Sequence, residues 1–144
     1  MIVTAGIKSY KFYYLVMGEL VTVGETPLKL VPPDRQQFIS SDTLEMAAAG
    51  TESNVAIAAY AMGTDSTWVS KLPETQLGKR IVNEIREYGV ETDIIWSEDG
   101  RVGLEFNQRG SPPRDDVVIH DRDGATAASG LRRRLRPWLR TRRR

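Results

Sequence analysis

The 144-residue chain contains no cysteine. That absence excludes disulfide frameworks, thiolate nucleophiles and cysteine zinc sites, and it is compatible with a reducing cytoplasm. There is one histidine, His120. With neither cysteine nor a second imidazole near it, no metal role is expected for it. No apolar run is long enough to span a membrane. The glycine patterns of self-contained nucleotide sites are also missing: there is no Gly-x-Gly-x-x-Gly, no Walker-type phosphate loop and no protein-kinase signature. Lysine is scarce where acid is plentiful. All 19 acidic residues lie between Glu19 and Asp123, a stretch with ten basic residues, only three of them lysine, so its net charge is −9. An acidic, lysine-poor surface stays hydrated when salt screens charge, which points to a salt-rich cytoplasm. What is present, 40% hydrophobic and 27% charged residues, is the profile of one globular domain with a modest core.

The two ends differ from this acidic middle. Residues 1–16 place Lys8 and Lys11 ahead of Phe12-Tyr13-Tyr14-Leu15-Val16. That run is too short for a signal-peptide core and no small-residue cleavage pattern follows, so Met17 reads as the functional first residue and 1–16 as a non-native leader. Residues 130–144 carry eight arginines and no acid. They read either as an arm for nucleic acid or a membrane surface, or as a wrong reading frame entered near Ser129. The abrupt charge switch, where a fold is still unfinished, favours the second reading. The tail is expected to be disordered, and nucleic acid is not the expected partner.

Within 17–129 the chain alternates period. Leu20, Val21 and Val23 before Gly24 predict a buried strand; Leu28–Val31 and the stretch 37–49 predict shorter extended pieces. Val55, Ala58, Ala59 and Met62 fall at helical spacing, with Ser53 as N-cap and Gly63 as stop. A strand over 67–72 follows, then a helix carrying Leu77, Ile81, Ile85 and Tyr88 on one stripe and ending at Gly89. Strand, helix, strand, helix predicts a parallel α/β sheet. Val102, Leu104 and Phe106 alternate with polar residues or glycine, and Val117–His120 returns beside them, predicting an antiparallel pair that serves as a lid.

Two clusters offer ligand chemistry. In Ala49-Gly50-Thr51-Glu52-Ser53-Asn54 the bare Gly50 backbone admits a close hydroxyl, and the Asn54 amide presents both a donor and an acceptor. The same residues also suit an ordinary strand-to-helix turn, and on the residues alone that is the stronger reading. In His120-Asp121-Arg122-Asp123-Gly124, an arginine able to hold a carboxylate through two parallel hydrogen bonds suits an acidic sugar. Without context, an exposed arginine among aspartates is the simpler account.

In order, Val23-Gly24-Glu25, the Gly50-to-Asn54 turn, Gly63-Thr64-Asp65, Leu77-Gly78, Gly89-Val90-x-Thr92 and Gln108-Arg109-Gly110 resemble ribokinase-like (phosphofructokinase B-type) carbohydrate kinases over about residues 17–129. The stretch Arg122-Asp123-Gly124 through Ala127-Ala128-Ser129 looks most similar to 2-keto-3-deoxygluconate kinases. The resemblance implies a Rossmann-like α/β/α sandwich with a small β lid, a homodimer paired through that lid, and phosphoryl transfer from Mg-ATP to a sugar or sugar acid in the cytoplasm. It assigns Gly50 and Asn54 to hydroxyl contacts and Glu105, His120, Asp121 and Arg122 to the lid side of the substrate. Glu105 and His120 stand where related sugar-acid kinases have aromatic residues. The family's Asp-Thr-x-Gly-Ala-Gly-Asp motif has no match in the chain. The expectation is therefore a truncated kinase with no catalytic or cofactor-binding residue of its own, inactive alone. A non-catalytic sugar-binding or subunit-pairing module is the alternative.

Overall fold

The computed structural model describes residues 2–3, 12–16 and 19–126. The arginine-rich tail assigned above to a binding arm or a wrong frame lies outside them.

Among the described residues, nine strands form two sheets, accompanied by two α-helices and one short 3-10 turn. The larger has the order β1-β2-β3-β6-β7. Its parallel part is β3 (Glu19–Val23), β6 (Ser66–Pro73) and β7 (Glu91–Ser97), in register Thr22↔Trp68 and Trp68↔Thr92. The stretch read from sequence as a leader adds two antiparallel strands, β1 (Ile2–Val3) and β2 (Phe12–Val16), with Phe12↔Val23 through Val16↔Glu19 joining β2 to β3. The smaller sheet has the order β5-β4-β8-β9, built from β4 (Leu28–Val31), β5 (Glu45–Ala48), β8 (Leu104–Gln108) and β9 (Val117–Asp121). The expected lid pair is present, antiparallel, with Glu105 opposite His120.

Helix α1 (Thr51–Ala61) connects β5 to β6, and α2 (Gln76–Glu87) connects β6 to β7. Parallel neighbours need such crossovers, and their right-handed sense puts both helices on one face of the sheet. There they bury one cluster: Ala56 of α1, Ile81, Val82 and Ile85 of α2, Trp68 and Leu72 of β6, and Leu28 of the lid sheet. The lid is thus fused to the core of the larger sheet through Leu28 and Val102.

Both helices differ in detail from their sequence reading. Helix α1 begins at Thr51 with Gly50 as its cap residue, and it buries Glu52, Ser53, Ala56 and Ala59, whereas Met62 is 79% exposed. An alanine-rich helix has small apolar groups on every side, so spacing alone does not select the packed face. Helix α2 keeps the predicted Ile81 and Ile85 but buries Gly78 and Val82, leaving Leu77 and Tyr88 exposed. Gly78 is required there: a Cβ on it would meet the Pro73 carbonyl oxygen. Thr75 caps this helix by accepting a hydrogen bond from the Gly78 amide at 3.2 Å. Thr75→Ala should lower stability by about 1 kcal/mol in a urea titration, and an unchanged midpoint would show that the cap contributes nothing.

Candidate functional site

The candidate site lies where β3 ends, at the carboxyl end of the parallel strands, the position α/β folds use for ligands. Gly24 and Glu25 leave β3, and Thr26 ties this turn to the start of α1: its hydroxyl donates to Ser53 Oγ at 2.9 Å, and Ser53 Oγ donates to the Gly50 carbonyl at 3.0 Å. The packing is tight enough to require bare backbone. A Cβ on Gly50 would sit 2.6 Å from the Glu25 carbonyl oxygen, and one on Gly24 would sit 2.5 Å from Glu52 Oε2. Gly103, just before β8, approaches from the lid side, where a Cβ would lie 2.6 Å from Glu25 Oε1. Three glycines therefore close around two glutamates. Glu52 is only 7% exposed. Among the described residues Glu25 Oε1 is buried without a hydrogen-bond partner, and its Oε2 lies 4.0 Å from Arg122 Nε.

The lid supplies the opposing chemistry. Strand pairing sets Lys29, Glu105 and His120 side by side on one face, and His120 Nδ1 is 3.6 Å from Glu105 Oε2. Side chains alternate along a strand, so Asp121 points to the other face, where its carboxylate pairs with Arg101. Arg122, next along the chain, reaches Glu25. Of the residues singled out from sequence, Gly50, Glu105, His120 and Arg122 are thus arranged along the turn at the end of β3 and the lid face beside it. Asp121 is turned away from that face. Asn54 is exposed one turn into α1 and, with Ser53, Glu84, Ile85 and Tyr88, lines a hollow of about 220 Å³.

Glu25, Glu52, Gly103 and Arg101 were not singled out as ligand-site residues. Nineteen acidic residues make any pair of glutamates unremarkable in sequence. The available signals were a glutamate directly after a strand-ending glycine and a glycine interrupting the alternation before Leu104.

Among the described residues no group of His, Asp or Glu is placed to hold a metal ion, and no helix is long and apolar enough to cross a membrane. The first turn of α1 carries the buried Glu52. The first turn of α2 is capped by Thr75, and Lys79 Nζ lies 3.7 Å from Glu74.

Known proteins resemble this chain in sequence and in fold. The chain is 42% identical over 112 residues to a 2-dehydro-3-deoxygalactonokinase of Haloferax volcanii, covering 78% of this chain and 35% of that protein. It is 28% identical over 116 residues to a 2-dehydro-3-deoxygluconokinase of Thermoproteus tenax, again covering 78% and 35%. Among solved structures, a 2-dehydro-3-deoxygluconokinase from Thermotoga maritima superposes with a TM-score of 0.73 at 34% identity, over 76% of this chain and 34% of that one. A sugar kinase from Pyrococcus horikoshii solved with ATP shares the fold at 22% identity and a TM-score of 0.65, over 72% and 34%. The chain thus spans about a third of the length of these relatives. The family match runs over residues 17–131, from just before β3 through the lid and Arg122, and by it the chain belongs to the pfkB family of carbohydrate kinases.

Proposed function

We propose that this chain forms the sugar-acid side of a kinase that phosphorylates a 2-keto-3-deoxy sugar acid with ATP in the cytoplasm. The observation that carries this reading is the placement of Arg122, next along from the His120–Glu105 pair and 4.0 Å from Glu25. A guanidinium presents a planar pair of donors matched to a carboxylate. Held only loosely by Glu25, Arg122 is free to take the substrate's carboxylate, while Glu25, Glu105 and His120 accept from or donate to its hydroxyls. Gly24 and Gly50 let the sugar approach main chain. The names of the relatives, which act on 2-dehydro-3-deoxy sugar acids, support the same substrate class. In this reading the described residues bind and orient the sugar, and phosphoryl transfer calls on groups beyond the third of the relatives' length that this chain spans. The chain alone is expected to turn over no sugar. Calorimetric titration of the chain with 2-keto-3-deoxygluconate and with fructose tests the reading: the acid should bind at least about tenfold more tightly, and equal affinities would overturn it.

A second, compatible role is subunit pairing through the lid. Strand β9 is a sheet edge on which Val117, Val118 and Ile119 are 43%, 45% and 52% exposed. Consecutive residues face opposite sides, so both faces of an unpaired edge are apolar, which suits a second copy of the chain. Sedimentation should show a concentration-dependent dimer that Val118→Lys abolishes. A monomer at every concentration would remove this role.

A further inference from the structure

We infer that Arg101 is a positioning residue that sets Arg122 for its ligand. This inference rests on the sugar-acid reading above for its consequence, but its geometry stands independently. Arg101 lies before β8 and forms a lone parallel bridge with Ala125. Its guanidinium grips the chain on both sides of Arg122. Nε donates to the Asp123 carbonyl at 3.0 Å and Nη2 to the same oxygen at 2.7 Å. Nη2 also pairs with the Asp121 carboxylate, and Nη1 lies 3.5 Å from the Asp121 carbonyl. The backbone completes the clamp: Thr126 N donates to the Arg101 carbonyl and Ala125 N to the Arg122 carbonyl, both at 3.0 Å.

The carbonyls flanking Arg122 are thus tied to one side chain, whereas among the described residues the Arg122 side chain pairs at 4.0 Å with Glu25 alone and is 51% exposed. A long, flexible arginine directs two donors at a carboxylate only if its own main chain is held. Arg101 provides that hold, and Asp121 serves it as a counterion on the face away from the ligand. This also gives Asp121 a function different from the substrate contact that the family resemblance assigned to it.

The test compares the unsubstituted chain with Arg101→Ala and Arg101→Lys, reading amide hydrogen exchange at Ala125 and Thr126 together with binding of 2-keto-3-deoxygluconate and fructose. Arg101→Ala should speed exchange at both amides and weaken the acid about tenfold to a hundredfold, the loss that follows when a hydrogen bond to a charged group is no longer made. Fructose binding should not change. Arg101→Lys, which keeps the charge and the fold but cannot bridge two carbonyls and a carboxylate at once, should show the same pattern in weaker form. Unchanged exchange in both variants would overturn the clamp. Faster exchange with undiminished acid binding, or equal loss for acid and fructose, would overturn the positioning role. If the unsubstituted chain binds no acid, the sugar-acid reading fails and the positioning role fails with it, while the exchange rates still decide the clamp.

Discussion

Replacing Arg122 with alanine should cost the chain one to two orders of magnitude in affinity for 2-keto-3-deoxygluconate and leave fructose almost untouched. A hydrogen bond to a charged group contributes roughly 1.5–3 kcal/mol, and about 1.4 kcal/mol is a tenfold change in binding. The lower end of that range applies if the bound carboxylate stays wet, because Arg122 is half exposed. The upper end applies if the lid excludes water. The substitution also leaves Glu25 without its nearest cation. An alanine variant therefore presents the acid with an unbalanced carboxylate, adding repulsion to the lost attraction. Arg122→Lys retains the charge without the planar fork and should fall between the two. Calorimetry on the three proteins with both ligands checks this, and a parallel loss for acid and neutral sugar would mean that Arg122 only supports the lid.

The largest effect on stability should come from Trp68→Ala. Trp68 is fully buried in the middle of β6, where its indole packs in the one cluster shared by both helices and the lid. Truncation of a buried tryptophan typically costs about 3–5 kcal/mol, through lost transfer energy and the cavity left behind. Against a total stability of about 5–15 kcal/mol for a domain, that is enough to leave a substantial part of the chain unfolded at moderate urea. Strand β6 pairs residue for residue with β3, whose end presents Gly24 and Glu25, so loosening β6 should also release the site. A chemical denaturation series should show a midpoint well below that of the unsubstituted chain. A change of less than about 1 kcal/mol would mean that the cluster closes around the gap, contrary to the close packing of protein interiors.

The alternation of strand and helix was legible in the residues because it depends on local periodicity. The apolar run before Gly24, the Ile81–Ile85 spacing and the alternation through Phe106 each have one low-energy way to bury their apolar groups. The lid pair was legible for the same reason, whereas the register that sets Glu105 opposite His120 came only with the structure. The packed face of α1 was not legible, because alanine on all sides makes several rotations nearly equivalent until the sheet chooses one. Nor was the partnership of Gly24, Gly50 and Gly103 with two glutamates, whose members come from β3, the start of α1 and the approach to β8.

By itself, then, the sequence determined the α/β class, the lid, the lack of any cysteine or glycine-rich nucleotide chemistry, and the candidacy of Arg122 as a carboxylate ligand. Only the tertiary structure decided which neighbours Arg122 has. It sent Asp121 to Arg101 rather than to the ligand face, set Asn54 beside Ser53 against a hollow that α2 also lines, and brought Glu25 to Arg122 across 97 positions of chain. The physical reason is that side-chain direction alternates residue by residue along a strand, while proximity between strands is set by register and crossover. Composition records neither, and both become fixed only when the sheet and the lid close on a common core.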